Sequence, residues 1–193
     1  FHGNTYVNVT GSIDGKKVTV SGGRGKEQTK TIPSFGDNLE FFFKYQVGHM
    51  YLRYFMWNFA GRQNDIHGHG GPLNGNWLSG IKPLDEARLG NQDNLPEKYS
   101  KNKARNTYYM LPLLLGLIGF FYQYKKHPKD FTVVLLLFIF TGLAIVVYLN
   151  QTPLQPRERD YAYAGSFYAF SIWIGMGLLG IYNLFKNKAP KVF

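Results

Sequence analysis

The sequence predicts a mainly α-helical, polytopic membrane protein with about three transmembrane helices. An aromatic helix, either interfacial or a fourth span, and a small outer β meander complete the expected fold. Three observations carry this reading. Tyr108–Tyr124, Phe131–Leu149 and Tyr161–Phe185 are runs of 17, 19 and 25 residues without a charge. At about 1.5 Å rise per residue they reach roughly 25 to 38 Å, against a hydrocarbon core of about 30 Å. Polar residues are segregated: positions 1–107 hold most of the Asp, Asn, Gln and Glu, while 108–185 are mostly Leu, Ile, Phe, Tyr and Gly. Lysines collect at the ends of the oily runs, where anionic headgroups attract them. A buried soluble bundle is the competing reading, but three such runs are hard to hide in 193 residues.

Whole-chain composition removes several classes. The net charge of +10 is spread along the chain, so membrane lipids, and no nucleic acid, are the expected partners. Without cysteine there are no disulfides, thiolate metal sites or thiol nucleophiles. The spans hold no ionisable residue to mark a transport path. The opening FHGNTYVNVT has neither an apolar signal core nor an initiator Met. The chain therefore reads as part of something larger, with the remaining helices of a parent chain, or other subunits, as its partners.

Residues 1–36 form the expected outer β element. Asn4–Thr10, Lys16–Val20 and Glu27–Ile32 alternate or are β-branched, and Asp14-Gly15 suits a hairpin turn. Residues 37–107 begin with the aromatic helix. Asp37 is its expected N-cap, with Glu40 at the third helical position and Lys44 one turn further on. Glu40, Lys44, His49 and Arg53 interrupt a dense set of Phe, Tyr and Trp between Phe41 and Phe59. That mixture fits a helix at headgroup level or packed on the spans. As a fourth span it would have to turn its polar residues toward protein.

The loop AGRQNDIHGHGG follows, with Arg62, Asn64, Asp65, His67 and His69 among glycines that let backbone approach a ligand. One reading is a solvated or structural loop. Another is a phosphate or sugar site, Arg62 donating and Asp65 or Asn64 accepting. A third is a metal site on His67, His69 and Asp65, whose imidazole and carboxylate groups suit a divalent ion. Two histidines two apart are a weak ligand signal, so no metal cofactor is expected.

Residues 108–193 hold the spans, at about 108–124, 131–149 and 161–185. The connection Lys125–Asp130 is basic, as is the tail with Lys186, Lys188 and Lys191. The positive-inside rule puts these ends in the cytoplasm, and residues 1–107 with loop 150–160 on the outer face. The small pairs Ala162/Ser166, Gly165/Ala169 and Ser171/Gly175 suit close helix packing. In QTPLQPRERDYAYAG, Pro153 and Pro156 keep the connection extended, and Asp160 is the expected N-cap of the third span. Arg157, Glu158 and Arg159 either anchor the interface as mutual ion pairs or clamp a phosphate with guanidinium groups. Tyr161 suits a substrate groove or an interfacial belt.

The stretches FGDNLEFFFKYQVGHMYLRYFMWNFAGRQNDIHGHGG, GNWLSGI, YYMLPLLLGLIG and YLNQTPLQPRERDYAYAGSFYAFSIWIGMG cover roughly Ile32 to Gly180. They resemble a family of large bacterial polytopic membrane proteins defined by a domain of unknown function. That family resembles the GT-C glycosyltransferases and the animal protein O-mannosyltransferase of that group. The resemblance implies the later part of a transferase's membrane domain, inactive on its own. It would use a lipid-phosphate sugar donor at the outer face of the cytoplasmic membrane, with protein the expected acceptor. The first-loop carboxylate that serves as base in GT-C enzymes has no matched position here. By family position, Arg62, Asn64, Asp65, Arg157, Glu158, Arg159 and Asp160 become site residues. The arginines would hold donor phosphate, and Asp65 or Asp160 would orient the acceptor hydroxyl. The alternative is a non-enzymatic membrane scaffold or a subunit of a larger complex.

Overall fold

The computed structural model describes residues 16–21, 27–66, 68, 71–93, 95–152 and 159–188. The fold is mainly helical. Two strands, β1 (Lys16–Ser21) and β2 (Glu27–Ile32), pair antiparallel, Lys16 opposite Ile32 and Ser21 opposite Glu27. The expected strand Asn4–Thr10 and the Asp14-Gly15 turn lie outside the described residues.

A helical run over residues 35–59, here α1, follows directly. Its cap is Ser34, not Asp37. The Ser34 hydroxyl accepts from the Asp37 N–H at 3.2 Å, and the Asp37 carboxylate accepts from the Ser34 N–H at 2.7 Å. Asp37 is thus the acid of a capping box that starts three residues earlier than expected, because Ser34 offers both a short hydroxyl and extended backbone. The Glu40–Lys44 pair forms as expected. The middle of α1, Phe42–Leu52, has the wider turns of a π-helix, flanked by α-helical Phe35–Phe41 and Arg53–Phe59. Tyr51, Tyr54, Phe55 and Phe59 are buried against the rest of the chain, while Phe35, Phe43 and Leu52 face outward.

The polar middle holds β3 (Gly61–Arg62), α2 (Lys82–Leu89), the single turn α3 (Glu97–Ser100) and β4 (Asn106–Thr107). The apolar helices come next: α4 (Leu111–Lys126), α5 (Pro128–Leu149) and α6 (Ala164–Lys188), the last entered through a 3-10 turn, Asp160–Tyr163. Among the described residues two helices are long and apolar enough to cross a membrane, Pro128–Leu149 and Asp160–Lys186. The first expected span falls short of that length. Tyr109 and Met110 adopt left-handed backbone, φ 51° and 56°, and keep the chain out of the helix until Leu111. That leaves α4 with 16 residues, about 24 Å of helix. Asp160 is corrected as well: it lies inside the first turn, Arg159 occupies the cap position, and no side chain caps it.

Helices α4 and α6 run parallel, with α5 returning between them. Gly116 abuts the Phe170 ring, Gly119 the Trp173 carbonyl, and Gly180 the Tyr122 side chain. Asn183 Nδ2 donates to Tyr122 Oη at 2.6 Å on the same seam. Small residues let the two backbones touch, as they do where helices pack in lipid. Phe55, Phe59, Phe131, Phe170 and Trp173 form the main core, with rings meeting largely edge to face. Buried in this apolar setting, Trp173 Nε1 donates to Gln123 Oε1 at 2.8 Å. A second cluster joins Tyr51 of α1, Val146 of α5 and Tyr163. Among the expected small pairs, Ser166 and Ala169 are fully buried, whereas Ser171 and Gly175 face outward.

This up-down-up order gives the bundle two unlike ends. Lys125, Lys126, Lys129 and Lys186 stand at one. At the other lie the start of α4, the end of α5 and the start of α6, and the polar middle of the chain is bonded there.

Candidate functional site

The polar end is organised around β3. Its residues lie between two neighbours: Leu78 N–H donates to Gly61 O at 2.9 Å, and Tyr108 N–H donates to Ala60 O at 2.9 Å. Gly61 has φ 134°, and a Cβ there would sit 2.6 Å from Asn106 O and 2.9 Å from Thr107 Cα. Only glycine fits so tight a position. Arg62 is therefore held at a fixed height, its N–H on Asn106 Oδ1 at 2.9 Å and its guanidinium over the Trp57 ring at 4.5 Å.

Trp57 also faces a second cation. Arg53 lies 5.3 Å from its ring and 4.5 Å from that of Tyr54. Arg53 is buried, and donates to His49 O at 2.9 Å and Gly75 O at 2.8 Å, pinning the glycine loop to α1. Arg62 differs: its Nε is buried and has no hydrogen-bond partner among the described residues. A buried donor left in that state is costly unless a ligand takes it.

For Asn64 the geometry fits the structural-loop reading. Its side chain is fully buried, with Oδ1 accepting from Gly75 N–H at 2.9 Å and Ile66 N–H at 3.2 Å, and Nδ2 donating to Leu73 O at 3.1 Å. Gln63 closes the same loop through Pro72 O and Asn76. Asn64 therefore shapes the loop and has no donor or acceptor to offer a substrate. Asp65 is exposed and accepts from Asn102 Nδ2 at 3.2 Å. His67 and His69 lie outside the described residues, and among those described no group of three His, Asp or Glu is gathered for a metal.

The second arginine segment stands at the same end. Gln46 of α1 donates to Asn150 Oδ1 at 2.9 Å and Gln151 O at 3.0 Å, tying residues 150 and 151 to α1. Arg159, Asp160 and Tyr161 are exposed at the start of the last helix. Arg157 and Glu158 lie outside the described residues.

Sequence reasoning missed a third group. The Asp85 carboxylate is buried and accepts from Ser79 N–H at 2.9 Å, Ser79 Oγ at 3.0 Å and Gly80 N–H at 2.7 Å. Arg88 stacks on Trp77 at 3.7 Å, and Arg105 lines the adjoining pocket. Burial pulls both guanidinium groups below their usual pKa and the Asp85 charge opposes it; both stay cationic. Pro83 followed by Asp85 was a visible helix-start signal. The partnership with Arg105 spans too much sequence to be read locally. Chemically this end offers cations and exposed carboxylates at the mouth of an apolar bundle, a set suited to a phosphate attached to a lipid. No family model, curated protein or solved structure matches the chain.

Proposed function

We propose that the chain is the later part of the membrane domain of a GT-C-like glycosyltransferase. It would transfer a sugar from a lipid-phosphate donor to an acceptor, protein being the expected one, at the outer face of the cytoplasmic membrane. One observation carries the reading: two arginine-bearing segments stand at one polar end of an apolar bundle, Arg62 on the strand paired with Asn106–Thr107, which leads into α4, and Arg159 just before α6. In this reading α4, α5 and α6 all cross the bilayer. Lys125 and Lys126, in the last turn of the short α4, would reach the far interface by extending their stems.

Arg62, with Arg157 and Arg159, holds the donor phosphate, whose negative charge grows as the bond to the anomeric carbon breaks. The acceptor oxygen forms the new bond, and exposed Asp65 or Asp160 orients that hydroxyl. Glu158 and Tyr161 flank the phosphate site, while Asn64 keeps the loop in shape.

The test uses cells carrying the full-length protein with Arg159→Ala or Arg62→Ala, followed by mass-spectrometric glycan profiles of exported proteins. Glycosylation should fall while protein level holds. Unchanged glycans at normal protein level would reject the transferase. The second reading, a scaffold, is favoured by the exposed Leu178, Leu179, Tyr182, Leu184 and Phe185 on the far half of α6. In that case the same variants would disturb assembly and leave glycans intact.

A further inference from the structure

A polar pocket of about 230 Å³ opens beside the start of α4, with Gly80, Lys82, Glu86, Arg105 and Tyr109 in its wall. None of these residues takes part in the transfer proposed above. The rim is constructed with care. Tyr109 sits in left-handed backbone, fixed by its N–H on Ser79 O at 2.9 Å. Gly80 has φ 88°, and a Cβ there would meet Tyr109 Cε1 at 3.0 Å and Thr107 Cβ at 2.8 Å. The Tyr109 ring can close on the rim because residue 80 is glycine.

Most charges in the wall neutralise one another. Lys82 pairs with Asp93 at 2.5 Å, and Asp85 is filled by three donors beside Arg88. Two charged groups have only longer-range partners, Arg105 feeling Asp85 and Glu86 feeling Lys82. Among the described residues Arg105 has a buried Nη1 without a hydrogen bond, and its Nη2 reaches Gln92 Oε1 at 3.5 Å. The Glu86 carboxylate, half-buried on α2, makes no close hydrogen bond or ion pair among the described residues, and only a longer-range attraction links it to Lys82 one turn earlier. The two do not bond to each other, so a guanidinium and a carboxylate without a close charged partner among the described residues line the same space.

A simple anion would meet Glu86, and a simple cation would meet Arg105. A ligand carrying both charges satisfies both. The volume is below the range of about 300 to 1,000 Å³ usual for drug-sized ligands, which suits a headgroup. Tyr109 in the wall is exposed, as are its chain neighbours Tyr108 and Leu111, and tyrosine is enriched where a protein meets the lipid surface. We propose that this pocket binds the headgroup of a phosphoethanolamine lipid, phosphate on Arg105 and ammonium on Glu86 and the Tyr109 ring. The lipid source rests on the membrane reading; the zwitterion chemistry does not.

The full chain is placed in nanodiscs of phosphatidylethanolamine and phosphatidylglycerol in equal amounts, and retained lipid is counted by native mass spectrometry. Phosphatidylethanolamine should be retained about tenfold over phosphatidylglycerol. Glu86→Gln and Arg105→Gln should each abolish that preference, and Lys44→Gln should keep it. Preferential retention of phosphatidylglycerol, or an unchanged preference in Glu86→Gln, overturns the proposal. Water-soluble glycerophosphoethanolamine is also titrated against the unaltered chain by NMR, with inorganic phosphate as the anion arm. Saturable binding of the first and none of the second supports the zwitterion site even if a variant fails to fold. Equal binding of inorganic phosphate, or no binding of either, overturns it. Soluble headgroup binding without lipid retention overturns the lipid source alone.

Discussion

Replacing Gly119 by alanine tests the seam on which the bundle rests. The added Cβ would lie against the Trp173 carbonyl, 2.7 Å from its carbon, and 2.6 Å from Gly177 N. Both obstacles are backbone, so no side chain can rotate away. The Gly177 nitrogen alone requires α4 and α6 to part by roughly 0.8 Å and the nearer Trp173 oxygen requires more, and a gap of about 0.5–1 Å already forfeits a quarter to a half of the dispersion well. Overpacking of this kind costs about 3 kcal/mol at its upper range, against about 1 kcal/mol gained from alanine's helix propensity. The net loss is about 2 kcal/mol. Gly175 is the matched control: the same helix pair, but nothing within 4 Å of the added carbon. Gly175→Ala should gain up to about 1 kcal/mol, so the two variants differ by about 3 kcal/mol. For a chain of this size that is about 6–12 °C in melting temperature, read by circular dichroism in mild detergent. If the two variants melt together, the glycine contact is not what holds α4 to α6.

Two further predictions concern the polar end. Asn64→Ala removes an acceptor shared by Gly75 and Ile66 and a donor to Leu73, so the 64–76 loop should loosen by about 2 kcal/mol. Limited proteolysis should cut there sooner than in the unaltered chain, while the helical circular dichroism stays unchanged. Asp85→Ala strands two backbone N–H groups and the Ser79 hydroxyl, at about 3 kcal/mol, and should speed hydrogen exchange at Ser79 and Gly80.

The long apolar runs were legible because twenty or so uncharged residues leave few alternatives to a helix. Their limits were less so. Nothing in Tyr109-Met110 advertises left-handed backbone, since neither is Gly or Asn, and the helix start was misplaced by that corner. The cap of α1 was misjudged because Ser34 and Asp37 are both good caps, and the pair works with Ser34 as the cap and Asp37 as its acid. Small-residue spacing pointed to packing, yet the face that carries it, Gly116 and Gly119 against Gly177 and Gly180, depends on where a second helix lies. One helix's sequence does not contain that. The Gly-rich loop left structural and ligand-binding readings open, because which amide turns inward is a matter of loop closure. Asn64 and Arg62, two residues apart, ended with opposite roles.

The π-helical middle of α1 sets the phase of everything downstream. Gln46 grips the Asn150 connection before the widened stretch ends, and Arg53 grips Gly75 just after it, so one rod keys two separate loops at a fixed angle. Each residue of ordinary helix advances the azimuth by roughly 100°. Inserting or deleting a single position between those two grips would therefore turn one key out of its lock while the other stayed seated.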